Sequence, residues 1–397
     1  MSEWETCAVP DSFIKNKVGR QNQIPAKDIA EVGRFPVVDQ GQKFVAGYCD
    51  DESKVIDFDL PLIIFGDHTR CFKYVDFPFV LGADGTKVLL PNKKLYDARF
   101  YYFALLALEI PSRGYNRHFT ILNERSLPLP PLSEQKKIAH ILSTVQRAIE
   151  AQERIIQTTT ELKRALMHKL FTEGLRNEPQ KQTEIGPVPE SWEVVPLSEC
   201  AVVQTGIAKG RKVNAKEAVE VPYLRVANVQ DGYLELSEMK TITIRKNEQQ
   251  RFALQDGDVV LTEGGDFDKL GRGFIWHGQI ANCVHQNHVF AVRPDRTRIS
   301  SEFFAYQSQS PYGKSYFLSV AHKTTNLACI NTTKLKAFPV LLPPQDQQKD
   351  IVEACSSIDG KIRNATNKKA QLDDLFRTLL HELMTAKTRV HEVDNLL

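Results

Sequence analysis

The sequence predicts an α+β protein in which two tandem globular domains are separated by two long antiparallel coiled-coil helices, the whole built as a pseudo-twofold internal repeat. Three observations predict it. The stretch LPLPPLSEQKKIAHIL at 127–142 returns as VLLPPQDQQKDIVEAC at 340–355, so that Pro130, Pro131, Gln135, Lys136 and Ile138 stand 213 residues before Pro343, Pro344, Gln348, Lys349 and Ile351. Ahead of each copy lie short β-type runs broken by turn residues. Behind each copy the apolar period changes from two to about 3.5, the signature of a helix with a coiled-coil seam.

Taken in chain order, SEWE around Trp4 answers ESWE around Trp192, 188 residues later, and Ile63-Ile64 answer Val259-Val260 at a spacing of 196. ARFYYFALL and SEFFAYQSQ both read as the start of an amphipathic helix, with Tyr101-Tyr102 near Phe303-Phe304. Spacings that grow along the chain describe one domain written twice, the second version carrying insertions. A repeat of this size is a duplicated domain, not a solenoid. The expected β runs are 35–38, 43–46 and 60–65 in the first copy and 221–226, 241–244, 258–261 and 283–292 in the second.

After the first Pro-Pro step Ile138, Val145, Gln152, Thr159 and Leu166 repeat by seven, with Ile141, Ala148, Ile155 and Leu162 as companions. After the second, Ile351, Ile358, Ala365, Leu372 and Leu379 do the same, flanked by Cys355, Ile362, Phe376 and Leu383. Proline cannot occupy a helix interior, and Ser133 and Asp346 are expected as N-caps. A helix of roughly 40 residues is ~60 Å long, and an apolar stripe of that length must be covered. Packing the two helices on each other covers both and puts the domains at opposite ends. The divisions expected are a first domain at 1–131, a helix at 132–176, a linker at 177–189, a second domain at 190–344, a helix at 345–386 and a tail at 387–397.

Composition sets wider limits. The chain has 397 residues, 42% hydrophobic and 25% charged, with 51 basic against 49 acidic residues and a net charge of +2. Any nucleic-acid surface must therefore come from local clustering, not a global field. Seven scattered cysteines without a C-x-x-C pair suit a reducing cytoplasm. The apolar runs fall short of the ~20 residues a membrane helix needs.

Motifs for chemistry fail one by one. The Pro-Pro steps are flanked by Leu129 and Leu132, then Leu342 and Gln345, where an amino-methyltransferase loop needs a polar acceptor before the prolines and an aromatic ring after them. Cys283, His285 and His288 lie close together but lack a fourth zinc ligand at compatible spacing. His381-Glu382 lacks the second histidine of a zincin helix, Asp11 with Glu52-x-Lys54 matches a nuclease site only loosely, and GGDFDKLGRG lacks the Lys-Ser/Thr of a phosphate loop. No catalytic residue and no metal ligand is assigned.

Polar and basic loops do cluster in both copies: DQGQK, GDHTR and SRGYNRH in the first, and GIAKGRK, EGGDFDKLGRG, HQNH and HKTTN in the second. Such side chains read phosphates and base edges, with Arg and Lys suited to guanine or phosphate and Asn and Gln to adenine. A duplicated frame with unlike loops suggests two related sites that read unlike things. The DNA contacts expected are Gln40, Lys43, His68, Arg70, Asn116 and Arg117 in the first copy, and Lys209, Arg211, Lys269, Arg272, Gln286, Asn287, Lys323 and Asn326 in the second.

With these residues in view, the chain resembles the specificity subunit of type I DNA restriction-modification systems. The likeness is carried by the two Pro-Pro steps and their helices, TTTELKRALMHKLFTEGL, PVPESWEVVPLSE, FPVVDQGQKFVAGY with LIIFGD, and VPYLRVANVQDGYLEL with GDVVLTEGGD and LGRG. It implies a non-catalytic subunit whose two domains each read half of a split, asymmetric double-stranded DNA site. It also implies two methyltransferase subunits bound through the helices, for which Ile138, Ile141, Leu142, Val145, Ile149, Ile351, Ile358, Ile362, Leu372 and Phe376 are the expected partner-binding positions, and restriction subunits joining that core. S-adenosylmethionine, ATP and Mg are then expected in partner subunits and no cofactor in this chain. Two other readings stay open, a self-contained DNA-modification enzyme with an unrecognised site and a coiled-coil scaffold without a DNA role.

Overall fold

The computed structural model describes residues 4–390 except 17, 19–21, 57, 84, 113, 115, 184–185 and 325–326. The chain divides into two compact units, one formed by 1–153 with 366–397 and the other by 154–365. Each unit therefore holds one globular domain together with half of each long helix.

In the first unit a four-stranded antiparallel sheet has the order Phe13–Ile14, Thr86–Pro91, Leu62–Gly66, Phe72–Val75. In the second the order is Ala201–Thr205, Val289–Pro294, Asp258–Thr262, Gly273–Trp276, with the same pairings. The registers agree residue by residue: Ile63 faces Leu89 as Val259 faces Val292. Leu62–Gly66 and Asp258–Thr262 are buried throughout, as unbroken apolar runs in central strands should be.

A second sheet in each unit pairs Phe35–Val38 in parallel with Val80–Gly82 and antiparallel with Gly47–Cys49, and Ala218–Leu224 likewise with Val284–His285 and Lys240–Arg245. Two sequence expectations shift here. Residues 43–46 form a loop and the strand begins at Gly47, while 283–292 splits into two strands around a turn closed by the Val289 N–H on the Gln286 carbonyl at 2.8 Å. The second unit also has a small sheet of Gly264–Gly265, Ala328–Cys329 and His322–Lys323, without a counterpart among the described residues of the first.

The long helices span Leu132–Thr172 and Gln345–Met384. Each begins directly after the second proline, so Ser133 and Asp346 sit inside the first turn and are not the caps. The proline carbonyls accept the first helical bonds: Gln135 N–H donates to Pro131 and Gln348 N–H to Pro344, both at 3.0 Å.

The repeated glutamine has a more specific task. Buried Gln135 accepts the Asp97 N–H at 2.8 Å and donates to the carbonyls of Leu95 and Pro130 at 2.9 and 2.8 Å. Buried Gln348 accepts the Ser300 N–H at 3.0 Å and donates to the carbonyls of Arg298 and Pro343 at 2.8 and 3.1 Å. Asp97 and Ser300 are themselves the N-caps of the short helices Ala98–Leu106 and Ser301–Gln309. One amide therefore locks the start of a long helix to the start of a domain helix, and pairs one backbone N–H and two carbonyls at each joint. Those short helices align Phe100 and Tyr101 with Phe303 and Phe304, one position earlier than expected in the first copy. The opening tryptophans complete the joint: the Trp4 indole donates to Glu134 at 3.2 Å and the Trp192 indole to Gln347 at 3.0 Å.

Within each unit the two helix segments run in opposite directions. Arg389 pairs with Glu134 at 3.0 Å and Lys369 with Glu153 at 3.3 Å in the first, and Arg176 with Asp346 and Lys163 with Asp359, both at 2.6 Å, in the second. The apolar seam faces inward. Ile138, Ile141, Leu142, Val145, Ile351 and Ile358 are buried in the chain's own core, and Ile149, Ile362, Leu372 and Phe376 are half-buried. The six buried residues are thus not a surface for other subunits, because they are already spent on intramolecular packing. The companion positions Ile155 and Leu162 were expected in the seam and are instead exposed, at 45% and 59%.

Candidate nucleic-acid interface

In the first unit the loops after adjacent strands are tied into one cluster by residues that do not themselves face solvent. Asp67, fully buried, accepts the Phe119 N–H on its carboxylate at 2.7 Å, and its carbonyl receives both the His118 N–H and His118 Nδ1 at 2.9 Å. This anchor fixes the end of the 111–118 loop, and exposed Asn116 and Arg117 come directly before it. Gln40 spends its Oε1 on the His68 N–H at 3.1 Å, while its carbonyl accepts from Thr69 Oγ1 at 2.5 Å. Gly85 lies at φ +68°, and a Cβ there would meet His68 at 2.7 Å and Gln40 at 2.8 Å, so only glycine lets these loops close on each other.

Lys43 is exposed on a loop whose carbonyl at that residue accepts from Lys73 Nζ at 2.6 Å. Lys73 is buried, and burial pushes its ammonium down from its ordinary value, opposed by Asp39 at 3.4 Å. Arg70 takes a left-handed turn at φ +63° and donates to the Ile110 carbonyl at 2.9 Å. Gln40 and Arg70 therefore order the cluster, while Lys43, Asn116 and Arg117 present side chains outward.

The second unit gathers its loops in the same way. The Ile207 N–H donates to the His285 carbonyl at 2.8 Å and the Asn287 N–H to the Ile207 carbonyl at 3.2 Å, which seats the 206–212 loop against 285–287. Gly206 permits this, since a Cβ would lie 2.0 Å from the His285 carbonyl oxygen. In the small sheet exposed Lys323 lies on the far side of Ala328–Cys329 from Gly264–Gly265, after which comes the loop carrying Lys269, ion-paired with Asp266. Arg211 pairs with Glu248 at 2.6 Å and holds that carboxyl below its usual range. Lys209 lies 5.9 Å over the Tyr223 ring, and Arg272 is half-buried with its backbone carbonyl taken by Thr262. Gln286 uses its Oε1 on the Val226 N–H at 3.3 Å, so it is committed to the fold. Asn326 lies outside the described residues.

Cys283 and His285 are both buried, and burial raises the thiol to about 12 and lowers the imidazole below its ordinary value. His285 Nδ1 is bonded to the Val289 carbonyl at 2.7 Å, and exposed His288 turns instead to Glu263. Among the described residues no group of three or more His, Cys, Asp and Glu side chains could hold a metal, and no helix is long and apolar enough to cross a membrane.

The sequence missed the residues that set loop geometry: Asp67 and His118, 51 positions apart, and Glu263 with His288, 25 apart. No local pattern announces pairs at such separations. The only available signal was that each stood within or beside a polar loop.

The family model for the type I restriction modification DNA specificity domain matches residues 1–160 and 189–374. The type I restriction enzyme MjaVIII specificity subunit of Methanocaldococcus jannaschii is 30% identical over 416 residues, covering 99% of this chain and 94% of that protein. The EcoKI specificity subunit of Escherichia coli K12 is 24% identical over 338 residues, 77% of this chain and 70% of that one. The crystal structure of a type I restriction-modification S subunit from M. genitalium superposes with a TM-score of 0.59 at 17% identity, covering 96% of each chain.

Proposed function

Because the chain belongs to the type I restriction-modification DNA specificity family, as a specificity subunit and not an enzyme, we propose that its two units each read one half of a split, asymmetric double-stranded DNA site. The observation that carries this reading is the contrast between frame and loops. Strand order, register, helix caps and glutamine clamps repeat from one unit to the other, whereas the loops gathered on each unit share neither sequence nor length. A frame kept constant under variable polar loops is what two recognition modules with different targets require.

The long helices, in this reading, form an antiparallel coiled-coil spacer related by a pseudo-twofold axis, which holds the two reading surfaces apart. Half-sites near one helical turn, ~34–36 Å, fit domains that approach one face of a duplex. Inserting one heptad, ~10 Å, in both helices should change the preferred gap by up to ~3 bp. Two methyltransferase subunits would bind the outward helix faces, where Ile155 and Leu162 expose apolar surface, and not the buried seam. S-adenosylmethionine, ATP and Mg would then work in the methyltransferase and restriction subunits. Such a complex acts on DNA in the cytoplasm, and the seven free cysteines suit that compartment.

Selection from randomised duplexes by the chain with its methyltransferase subunits tests the reading and should enrich one split motif. Enrichment of no motif would favour a protein scaffold. Methyl transfer from labelled S-adenosylmethionine by the chain alone would instead establish a self-contained enzyme.

A further inference from the structure

Residues 286–288 of the second unit are a rigid display. The Gln286 N–H donates to the Leu224 carbonyl at 2.9 Å, the Asn287 N–H to Ile207 at 3.2 Å, and the His288 carbonyl accepts the Glu263 N–H at 2.9 Å. The Gln286 side chain is turned into the fold, whereas His288 is exposed and Asn287 beside it is half-buried.

Those two form a relay that ends on a carboxylate. His288 Nδ1 lies 2.5 Å from Glu263 Oε2, and His288 Nε2 lies 3.1 Å from Asn287 Nδ2. A carboxylate accepts only, so the Nδ1 proton must point to Glu263. Asn287 Nδ2 can only donate, so across this 3.1 Å contact His288 Nε2 is the acceptor, with its lone pair turned to the amide. Only the amide nitrogen of Asn287 satisfies it; the reversed amide would set Oδ1 against that lone pair. The relay thereby decides which way the amide faces and leaves Oδ1 and the second amide N–H uncommitted. One acceptor beside one donor matches the major-groove edge of adenine, which offers an N6–H donor and an N7 acceptor.

We propose that Asn287 is an adenine-reading residue of the second unit and that His288 and Glu263 are positioning residues that fix its amide. The proposal rests on the DNA-reading function above. It narrows the loop to one side chain and one base, and it gives the neighbouring histidine and glutamate a role other than metal binding or phosphate contact.

The test is selection from randomised duplexes by the complete complex, carried out with the wild-type chain, Asn287→Ala, His288→Ala and His288→Gln. Asn287→Ala should lower the preference for adenine at one position of one half-site by about 10- to 100-fold, the loss of one bidentate pair, and leave the other half unchanged. His288→Ala should weaken preference at that same position by a smaller factor. His288→Gln, which can still place an acceptor against the amide, should restore part of it, an outcome that mere loss of packing would not give. An unchanged adenine preference in Asn287→Ala overturns the proposal, and so does an even loss across the whole half-site with a lowered thermal transition. If the wild-type complex enriches no motif, the DNA-reading function itself falls, and the variants are not needed to see it.

Discussion

The two units share one backbone plan but stabilise it with different chemistry at matched positions. One step before the pairs Ile63–Leu89 and Val259–Val292, the first unit has Leu62 and Leu90 where the second has Asp258 and Arg293, joined by two hydrogen bonds of 2.7 Å, with the aspartate fully buried. Leu81, on a strand parallel to Phe35–Val38, is replaced by buried His285. Where Phe103 packs edge-on against Phe376 at 5.9 Å, the second unit sets Tyr306 against Lys163. Asp359 there accepts from the Tyr306 hydroxyl at 2.8 Å and pairs with Lys163 at 2.6 Å. The exchange also runs the other way, since buried Lys73 of the first unit stands where the second has Phe274. A fold of this kind tolerates ionic or apolar solutions at the same place, provided that each charge arrives with its partner.

That comparison can be broken in graded steps. The largest effect is expected from Asp258→Ala, which removes the buried acceptor of both Arg293 and the Gln255 N–H and should destabilise the second unit by about 3 kcal/mol or more in denaturant unfolding. Replacing both members by leucine, as the first unit has them, should restore most of that loss. Failure to restore it would mean that the ionic pair sets geometry the leucines cannot reproduce.

The glutamine clamps come next. Gln135→Leu and Gln348→Leu each strand one N–H and two carbonyls, and each should cost about 3 kcal/mol in its own unit. Equal costs in the two units are the outcome that supports a shared joint; a cost confined to one would show that the repeat is formal only. A smaller effect is expected from the triple change Tyr306→Phe, Lys163→Phe and Asp359→Gln, which writes the first unit's residues into the second. Its net effect should stay within about 1 kcal/mol, while Asp359→Ala alone costs more, because it leaves Lys163 and the Tyr306 hydroxyl without a partner.

The smallest predicted effect is a pH dependence. Burial holds the His285 imidazole below the ordinary range for histidine, so the unfolded chain takes up a proton that the folded chain refuses. Stability from this group is complete above about pH 6.5 and falls as the pH drops below it, by at most about 1.4 kcal/mol per pH unit. His285→Leu should flatten that slope in acid unfolding curves, and an unchanged slope would assign it to other groups.

The sequence made the frame legible where local chemistry repeats: the Pro-Pro steps, the heptads, Trp4 with Trp192 and the matched central strands. It did not reveal why Gln135 and Gln348 recur, because their bonds reach Leu95 and Arg298, 40 and 50 residues away. Nor could it separate buried seam from exposed face beyond Val145, since Ile155 and Leu162 fit the heptad yet face outward. In the loops, residue type could not distinguish a side chain that orders a loop, such as Gln40 or Gln286, from one that faces solvent, such as Lys43 or Lys323.

The claim that one frame serves two independent readers is tested most directly by exchanging residues 190–344 for the equivalent domain of a relative with a different target, and selecting from randomised duplexes with the complete complex. One half of the enriched motif should change, while the other half and the gap between them stay as they were. A chimera that folds and assembles yet alters both halves would contradict the account.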